Sequence, residues 1–289
     1  MGADPRRGAL MKFGIGFANT GPFASGPGAA MLGQAAEAAG FDSVWTVEHV
    51  VYPEGYESTY PYAPDGKMPG SGDNPIPDPL VWLAFVAATT TELGLATGIS
   101  LLPERHPVTY AKEVATLDNL SGGRLQLGIG IGWLKEEFEV LGVPWERRAA
   151  RTEEYVEVMR ALWAADNASF DGEFVTFDGM SSNPKPANGS VPITIGGHSR
   201  AAAERAGRMG NGFFPAKGDM AELAEIARTT AEAHGPRWCR PRHHRHPSRT
   251  LRRRHGRSGG RSRRLGPRPS GRALVHVLPE ARGVDRGDG

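Results

Sequence analysis

The sequence predicts an α/β fold built on a parallel sheet with helical crossovers, either open or closed into a barrel. Three observations carry this. Strand-like and helix-like stretches alternate six times between Lys12 and Gly235, and alternation at that spacing is the pattern of repeated βαβ units. The run Arg124–Glu137, RLQLGIGIGWLKEE, reads as a buried strand leaving through glycines into a helix start. Several predicted strands end in glycine, histidine or acid, as strands do at the mouth of an α/β barrel.

Taken in order, Lys12–Phe17 is a short apolar strand, then a Gly/Pro loop leads to an Ala-rich helix over Ala29–Ala39 that stops at Gly40. A glycine just past the last turn is the usual left-handed stop. Ser43–Glu48 is the second strand. Tyr52–Pro79 follows, with seven Pro and four of the six Tyr, so it is a long irregular loop of the kind that acts as a lid or binding loop. Asp78–Thr91 is helical, Gly94–Leu102 is strand three, and Pro107–Leu120 is a helix opened by proline. Strand four is the glycine-rich run. There Leu125, Leu127, Ile129 and Ile131 share a face, while Gly128, Gly130 and Gly132 leave the other bare. Glycine weakens a strand, so three at alternate positions suggest that something flat or charged approaches the backbone.

Trp145–Ala165 is the best-patterned helix, with Tyr155, Val158, Met159 and Leu162 on one side. Phe170–Phe177 reads as a small hairpin. Val191–Gly196 and Gly212–Pro215 are the last two strands, followed by helices over Ser199–Gly210 and Asp219–His234. A closed eightfold barrel needs two further units. The only later strand-like run, Ala273–Leu278, has no apolar helix before it, so the barrel is expected to be incomplete after the sixth unit.

Composition divides the chain near Gly235. Of 34 basic and 32 acidic residues, the last 54 positions hold 16 Arg, no Lys and 3 acids. Residues 236–289 are thus strongly basic and residues 1–235 acidic. The three readings of this Arg/Pro/Gly-rich tail are a phosphate-binding arm, a disordered extension, and a reading-frame slip in GC-rich coding DNA. The slip fits best, since the change follows a complete helix and no Lys accompanies the Arg. A nucleic-acid partner is therefore not expected. Residues 1–11 read as a disordered extension, and 12–235 as the folded domain. No run of eighteen apolar residues occurs, so no membrane span is expected, nor does the N-terminus show an apolar signal segment. A single Cys fits a reducing, cytoplasmic setting.

Candidate chemistry sits at four strand ends. Glu48-His49 follows strand two, where a histidine beside a titratable neighbour can move a proton near neutral pH. Gly98-Ile99 lies within strand three, and LPERHP follows it. Gly130, Gly132 and Trp133 end strand four. Gly196-Gly197-His198-Ser199 opens a helix, where free N–H groups and the helix dipole favour an anion.

VWTVEH, LATGISLLPERHPV, GGRLQLGIGIGW, RAARTEEYVEVMRALW, NPKP and PITIGGHS with AAERAGRMGNGFF stand here in a familiar order and spacing. Together they resemble the luciferase-like monooxygenase superfamily, most closely its actinobacterial F420-dependent oxidoreductase branch. The resemblance covers Lys12 to about Gly235. It implies a (β/α)8 TIM barrel binding F420, or alternatively FMN, in its mouth, and family members commonly dimerise. It also implies that Glu48 lies near the ring, that His49 is catalytic, and that Gly98-Ile99 holds a non-proline cis peptide behind the ring. Gly130 and Gly132 would admit the ring, while Gly196, Gly197, His198 and Ser199 would hold the phosphate. Trp133 stands where the sugar-phosphate dehydrogenases of the family carry a proton-donating acid, which argues against that chemistry and for a wall against substrate. Glu136 stands at a polar cofactor contact of those members.

The expected activity is hydride transfer between F420 and a small organic substrate. The alternatives are an FMN-dependent monooxygenase on the same fold and, from other classes, a non-catalytic barrel or a basic-tailed nucleic-acid binder.

Overall fold

The computed structural model describes residues 11–234; the expectations for the N-terminal extension, the stop at Gly235 and the basic tail fall outside them. Six βα units are present. Strands β1 (Gly14–Ile15), β2 (Ser43–Thr46) and β3 (Gly94–Thr97) alternate with helices α1 (Gly26–Ala38) and α2 (Pro79–Thr89). A short strand β4 (Ser100–Leu101) then precedes α3 (Pro107–Leu120). Next come β5 (Leu125–Gly130), α4 (Lys135–Val140), α5 (Arg148–Ala164) and the hairpin β6 (Ala168–Asp171) and β7 (Thr176–Met180). The described residues end with β8 (Ile193–Gly196), α6 (Arg200–Met209), β9 (Gly212–Phe214) and α7 (Met220–His234). The main sheet runs β1-β2-β3-β5-β8-β9 with every pairing parallel, and β4 pairs with β5.

The sheet is curled into part of a barrel. β2 and β9 stand four places apart, about 19 Å in a flat sheet, yet Trp45 of β2 and Phe214 of β9 stack with ring centroids 5.3 Å apart. Ala96 and Ile99 complete this small inner cluster. The larger core lies on the convex side, where Leu125, Leu127 and Ile129 are fully buried under α3 and α5. Among the described residues the sheet ends at β1 and β9 without closing.

Side-chain caps open four of the seven described α-helices. Ser25, Asp78, Ser199 and Asp219 each accept a hydrogen bond from the first turn of their helices, offsetting amide groups that have no partner inside the helix. α1 therefore begins three residues before the expected Ala29, because proline is tolerated in a first turn. α5 begins later than Trp145, since Arg147 takes a left-handed φ of 58° just before it.

The largest departure from expectation is strand three. It is two strands, and the pairing changes register between them. Leu95 and Ala96 oppose Leu125 and Gln126, but Ser100 and Leu101 oppose Ile129 and Gly130. One extra residue is thus inserted on the β3–β4 side, a β-bulge with the Gly98–Ile99 peptide bond, which is cis, inside it. This bulge explains the glycines of β5. A Cβ on Gly128 would lie 1.9 Å from the Thr97 carbonyl oxygen, and one on Gly130 would lie 2.4 Å from Ile99 Cδ1. Gly196 of β8 makes the same room, 2.7 Å from Ile99 Cγ2. What lies against those backbones in this structure is the chain's own bulge.

Candidate active site at the carboxyl ends of the strands

Because all strands of the main sheet run parallel, their carboxyl ends gather Glu48, His49, Gly98-Ile99, Gly130–Trp133 and Gly196–Ser199 on one side. Glu48, 6% exposed, follows β2. Its carboxylate accepts from Ser100 Oγ at 2.7 Å, from the Leu101 N–H at 2.6 Å and from Arg105. Arg105 also donates to Asp78 at 2.9 Å, so it joins the start of α2 to the end of β2. Ser100 in turn accepts from the buried Tyr110 hydroxyl at 2.7 Å, and burial holds that phenol well above its ordinary range. Glu48 is spent on holding the bulge.

His49 has a partner that sequence reading missed. Its Nδ1 lies 2.9 Å from Oε2 of Glu137, whose side chain is fully buried while that of His49 is 13% exposed. Glu137 also accepts from the Val50 and Val51 N–H groups. It stands on α4 between Leu134 and Phe138, both buried. An acid on the apolar stripe of a helix was the available signal. The His49 ring meets Trp133 edge-on at 5.7 Å.

The long loop lies across this mouth. Tyr56 and Tyr60 contact the Trp133 ring at 5.6 and 5.1 Å, and Tyr60 contacts Tyr62 at 5.2 Å. Tyr62 reaches His198 at 5.2 Å, so an aromatic row spans the ends of β5 and β8. Glu136 pins the loop, accepting from the Glu57 and Ser58 N–H groups at 2.7 and 3.0 Å and from Ser58 Oγ at 2.7 Å. Burial opposes its ionisation, but these donors outweigh it and hold the carboxyl at about 2. Glu136 thus anchors the loop. Gly132 needs its left-handed φ of 80°, and a Cβ there would lie 2.5 Å from Phe138.

At the end of β8, Gly197 has φ 134°, and a Cβ on it would meet Ala202 at 2.7 Å. Ser199 accepts from the Ala202 N–H at 3.2 Å. His198 Nδ1 is buried without a partner, and burial, then Lys217, depress its proton affinity. The other buried side-chain atoms lacking a partner among the described residues are both Glu104 oxygens and Arg105 Nε, in the turn after β4. Two clefts lie elsewhere. One of about 590 Å³ lies between α5 and α6, lined by Glu153, Glu157 and Arg208. One of about 340 Å³ lies at the amino ends of the strands, lined by Asp42, Ser43 and Arg124. No three His, Cys, Asp or Glu residues group as a metal site among the described residues, and no described helix is long and apolar enough to cross a membrane.

Residues 11–243 match the luciferase-like monooxygenase family. The chain belongs to that family. Relatives within reach of this luciferase-like chain include a Mycobacterium tuberculosis protein without an assigned activity, 36% identical over 206 residues, 70% of this chain and 71% of that one. The FMNH2-dependent dimethylsulfone monooxygenase of Pseudomonas fluorescens is 30% identical over 70% of this chain and 52% of its own length. Among solved structures, monooxygenase RslO1 of Streptomyces bottropensis is 31% identical with a TM-score of 0.63, covering 78% of this chain and 67% of that one. An F420-dependent secondary alcohol dehydrogenase shares the fold at a TM-score of 0.64 and 23% identity, over 78% of this chain and 66% of that one. The chain therefore spans about half to two thirds of the length of several of these proteins, and its incomplete TIM barrel of luciferase-like type accords with that.

Proposed function

We propose that the chain is a flavin- or deazaflavin-dependent oxidoreductase, with F420 as its cofactor and a small organic molecule as the partner in hydride transfer. The observation that carries this reading is the His49–Glu137 pair, set against Trp133 and beside the Gly98–Ile99 bulge. The residues fit such a cofactor at its anionic end. His198 Nδ1 is buried without a partner where Gly197, Ser199 and the start of α6 favour an anion. They make one demand. Tyr60, Tyr62 and Trp133 pack against one another, so the loop has to lift before a ring system enters.

The cofactor, when bound, supplies the hydride chemistry; the protein binds, orients, excludes water and manages the proton. In this reading Gly98 and Ile99 back the ring, with Gly130 and Gly196 giving the Ile99 side chain its seat. Gly197, His198 and Ser199 hold the phosphate. Glu137 accepting from Nδ1–H leaves Nε2 of His49 as the nitrogen that gives or takes a proton. Glu48 keeps the bulge in place through Ser100 and Leu101. Trp133 offers an apolar ring to the substrate in place of an acid. Titrating the protein with F420 and with FMN, following cofactor fluorescence, tests the reading. Saturable F420 binding weakened by Ser199→Ala and Gly197→Val is expected. Absence of binding to either cofactor overturns it.

A second reading is an FMN-dependent monooxygenase, favoured by the 30% identity with the FMNH2-dependent Pseudomonas enzyme. Saturable FMN binding without F420 binding selects it.

A further inference from the structure

The loop over the mouth is tied to itself before it is tied to the barrel. The Tyr60 N–H donates to the Gly66 carbonyl at 2.8 Å. Lys67 Nζ donates to the Tyr56 carbonyl at 2.8 Å, and the Met68 N–H to the Tyr56 hydroxyl at 2.6 Å. Residues 56–68 therefore keep their shape through their own bonds, as a compact surface loop does. Among the described residues, their hydrogen bonds to the barrel fall at two flanks.

The flanks are not alike. On the α4 side the Glu136 carboxylate takes the Glu57 and Ser58 N–H groups and Ser58 Oγ, and that Oγ accepts from the Lys135 N–H at 3.0 Å. On the β9 side the tie is a single bond, from Lys217 Nζ to the Pro61 carbonyl. The neighbouring Tyr62 ring lies 6.0 Å from Nζ and 5.2 Å from the His198 ring. Lys217 has no carboxylate partner among the described residues. It stands between β9 and α7, alongside the start of α6. A Cβ on the next residue, Gly218, would lie 3.8 Å from the His198 carbonyl oxygen, and the Gly197 N–H donates to the Phe214 carbonyl at 3.2 Å. An ammonium bonds an anion more strongly than a neutral carbonyl. The helix start beside it favours an anion, so anion and carbonyl compete for one cation.

We propose that Lys217 is both an anion-binding residue and the latch of this lid: it gives up the Pro61 carbonyl for an anion at Gly197–Ser199, and the lid then opens from the β9 side about its Glu136 flank. This rests on the anionic end of the cofactor site proposed above. A ligand moves a lid only by binding one state better than the other. Here the anion gains Lys217 only once Pro61 has released it. The order of events follows: the anionic end seats first, Tyr60 and Tyr62 leave the mouth, and the ring system enters.

The test is limited chymotrypsin digestion of the full 289-residue chain, with the Tyr62–Ala63 bond followed by mass spectrometry. Cleavage there tracks the open population when reclosing is fast. Inorganic pyrophosphate is the probe, and sodium chloride at matched ionic strength is the control. In the wild type, pyrophosphate is expected to speed the cut and chloride to leave it unchanged. Lys217→Met should be cut about two- to tenfold faster with no anion present, the range for one lost hydrogen bond. It should also ignore pyrophosphate. A wild type that pyrophosphate does not loosen, or a loosening that chloride reproduces, overturns the proposal. So does a Lys217→Met chain that is cut no faster, or that still responds. Neither F420 nor FMN enters the measurement. Failure of both to bind sinks the functional reading and leaves this one standing, while an unresponsive lid on a chain that binds F420 does the reverse.

Discussion

His49 and Glu137 come from elements 88 residues apart, and their pairing makes the sharpest demands on single side chains. Removing the imidazole by His49→Ala should lower kcat/KM by roughly 10²–10⁴-fold, the range for a lost general acid or base. Glu137→Gln should also lower the rate, roughly ten- to a hundredfold, because one amide oxygen cannot serve both Nδ1 and the Val50 and Val51 N–H groups that the two carboxylate oxygens serve. Steady-state kinetics with the preferred cofactor reads both. Glu104 makes a separate claim on stability. Burial first, then repulsion from Glu137 and Glu48, raises its folded-state carboxyl to about 9 against an ordinary 4.5. Between those values the folded chain holds more protons than the unfolded one. Stability therefore falls as pH rises through that window. Glu104→Gln should melt higher than the wild type, by a margin that widens from about pH 5 to about pH 9. The histidine was legible from its place at a strand end. Glu137 was not singled out, because its partner is fixed by how α4 packs on the mouth and not by any local spacing. Glu104 was visible in LPERHP, but nothing along the chain says that its neighbours leave it without a donor.

Loop and bulge are the elements that shape the mouth. The loop from Tyr52 is held by the Glu136 carboxylate, whose folded-state value of about 2 lies below the ordinary carboxyl range. A depressed carboxyl contributes stability above the unfolded value and loses it as pH falls through the folded one. The loop should thus stay pinned from neutral pH into the mild acid range. Limited proteolysis should cut within 52–78 much faster in Glu136→Ala than in the wild type. In the bulge, Gly128→Ala would drive a methyl into the Thr97 carbonyl, with an expected loss of about 1–3 kcal/mol on denaturant unfolding. The two elements differ in legibility. Pro and Tyr content announced the irregular loop, and α3 spans the residues expected of it from its opening proline. The bulge was hidden because register belongs to a pair of strands, and Gly94–Leu102 read alone is one continuous apolar run. For the same reason the glycines of β5 gave no sign of the bulge that lies against them.

For the whole molecule, six βα units and an unclosed sheet were legible in the alternation of elements. Its curl was not, since no local pattern records which distant rings meet. Among the described residues β1 and β9 are edges, and Phe13 and Phe17 beside β1 are 60% and 56% exposed. Unpaired edges flanked by exposed aromatics invite pairing with other chains. Sedimentation velocity should show self-association that grows with concentration, and Phe13→Lys should reduce it. A wild type that stays monomeric throughout would mean that those edges are covered. The Trp45–Phe214 stack bears on the same rim. Gly14 and Gly98 leave the space that Trp45 fills, and Phe214 reaches it from the far side of the sheet. The two rings work as a caliper, meeting at one radius and parting if the sheet flattens or tightens. Any strand joining either edge finds a rim already bent to size, so the radius of the mouth is set by residues of the first six units.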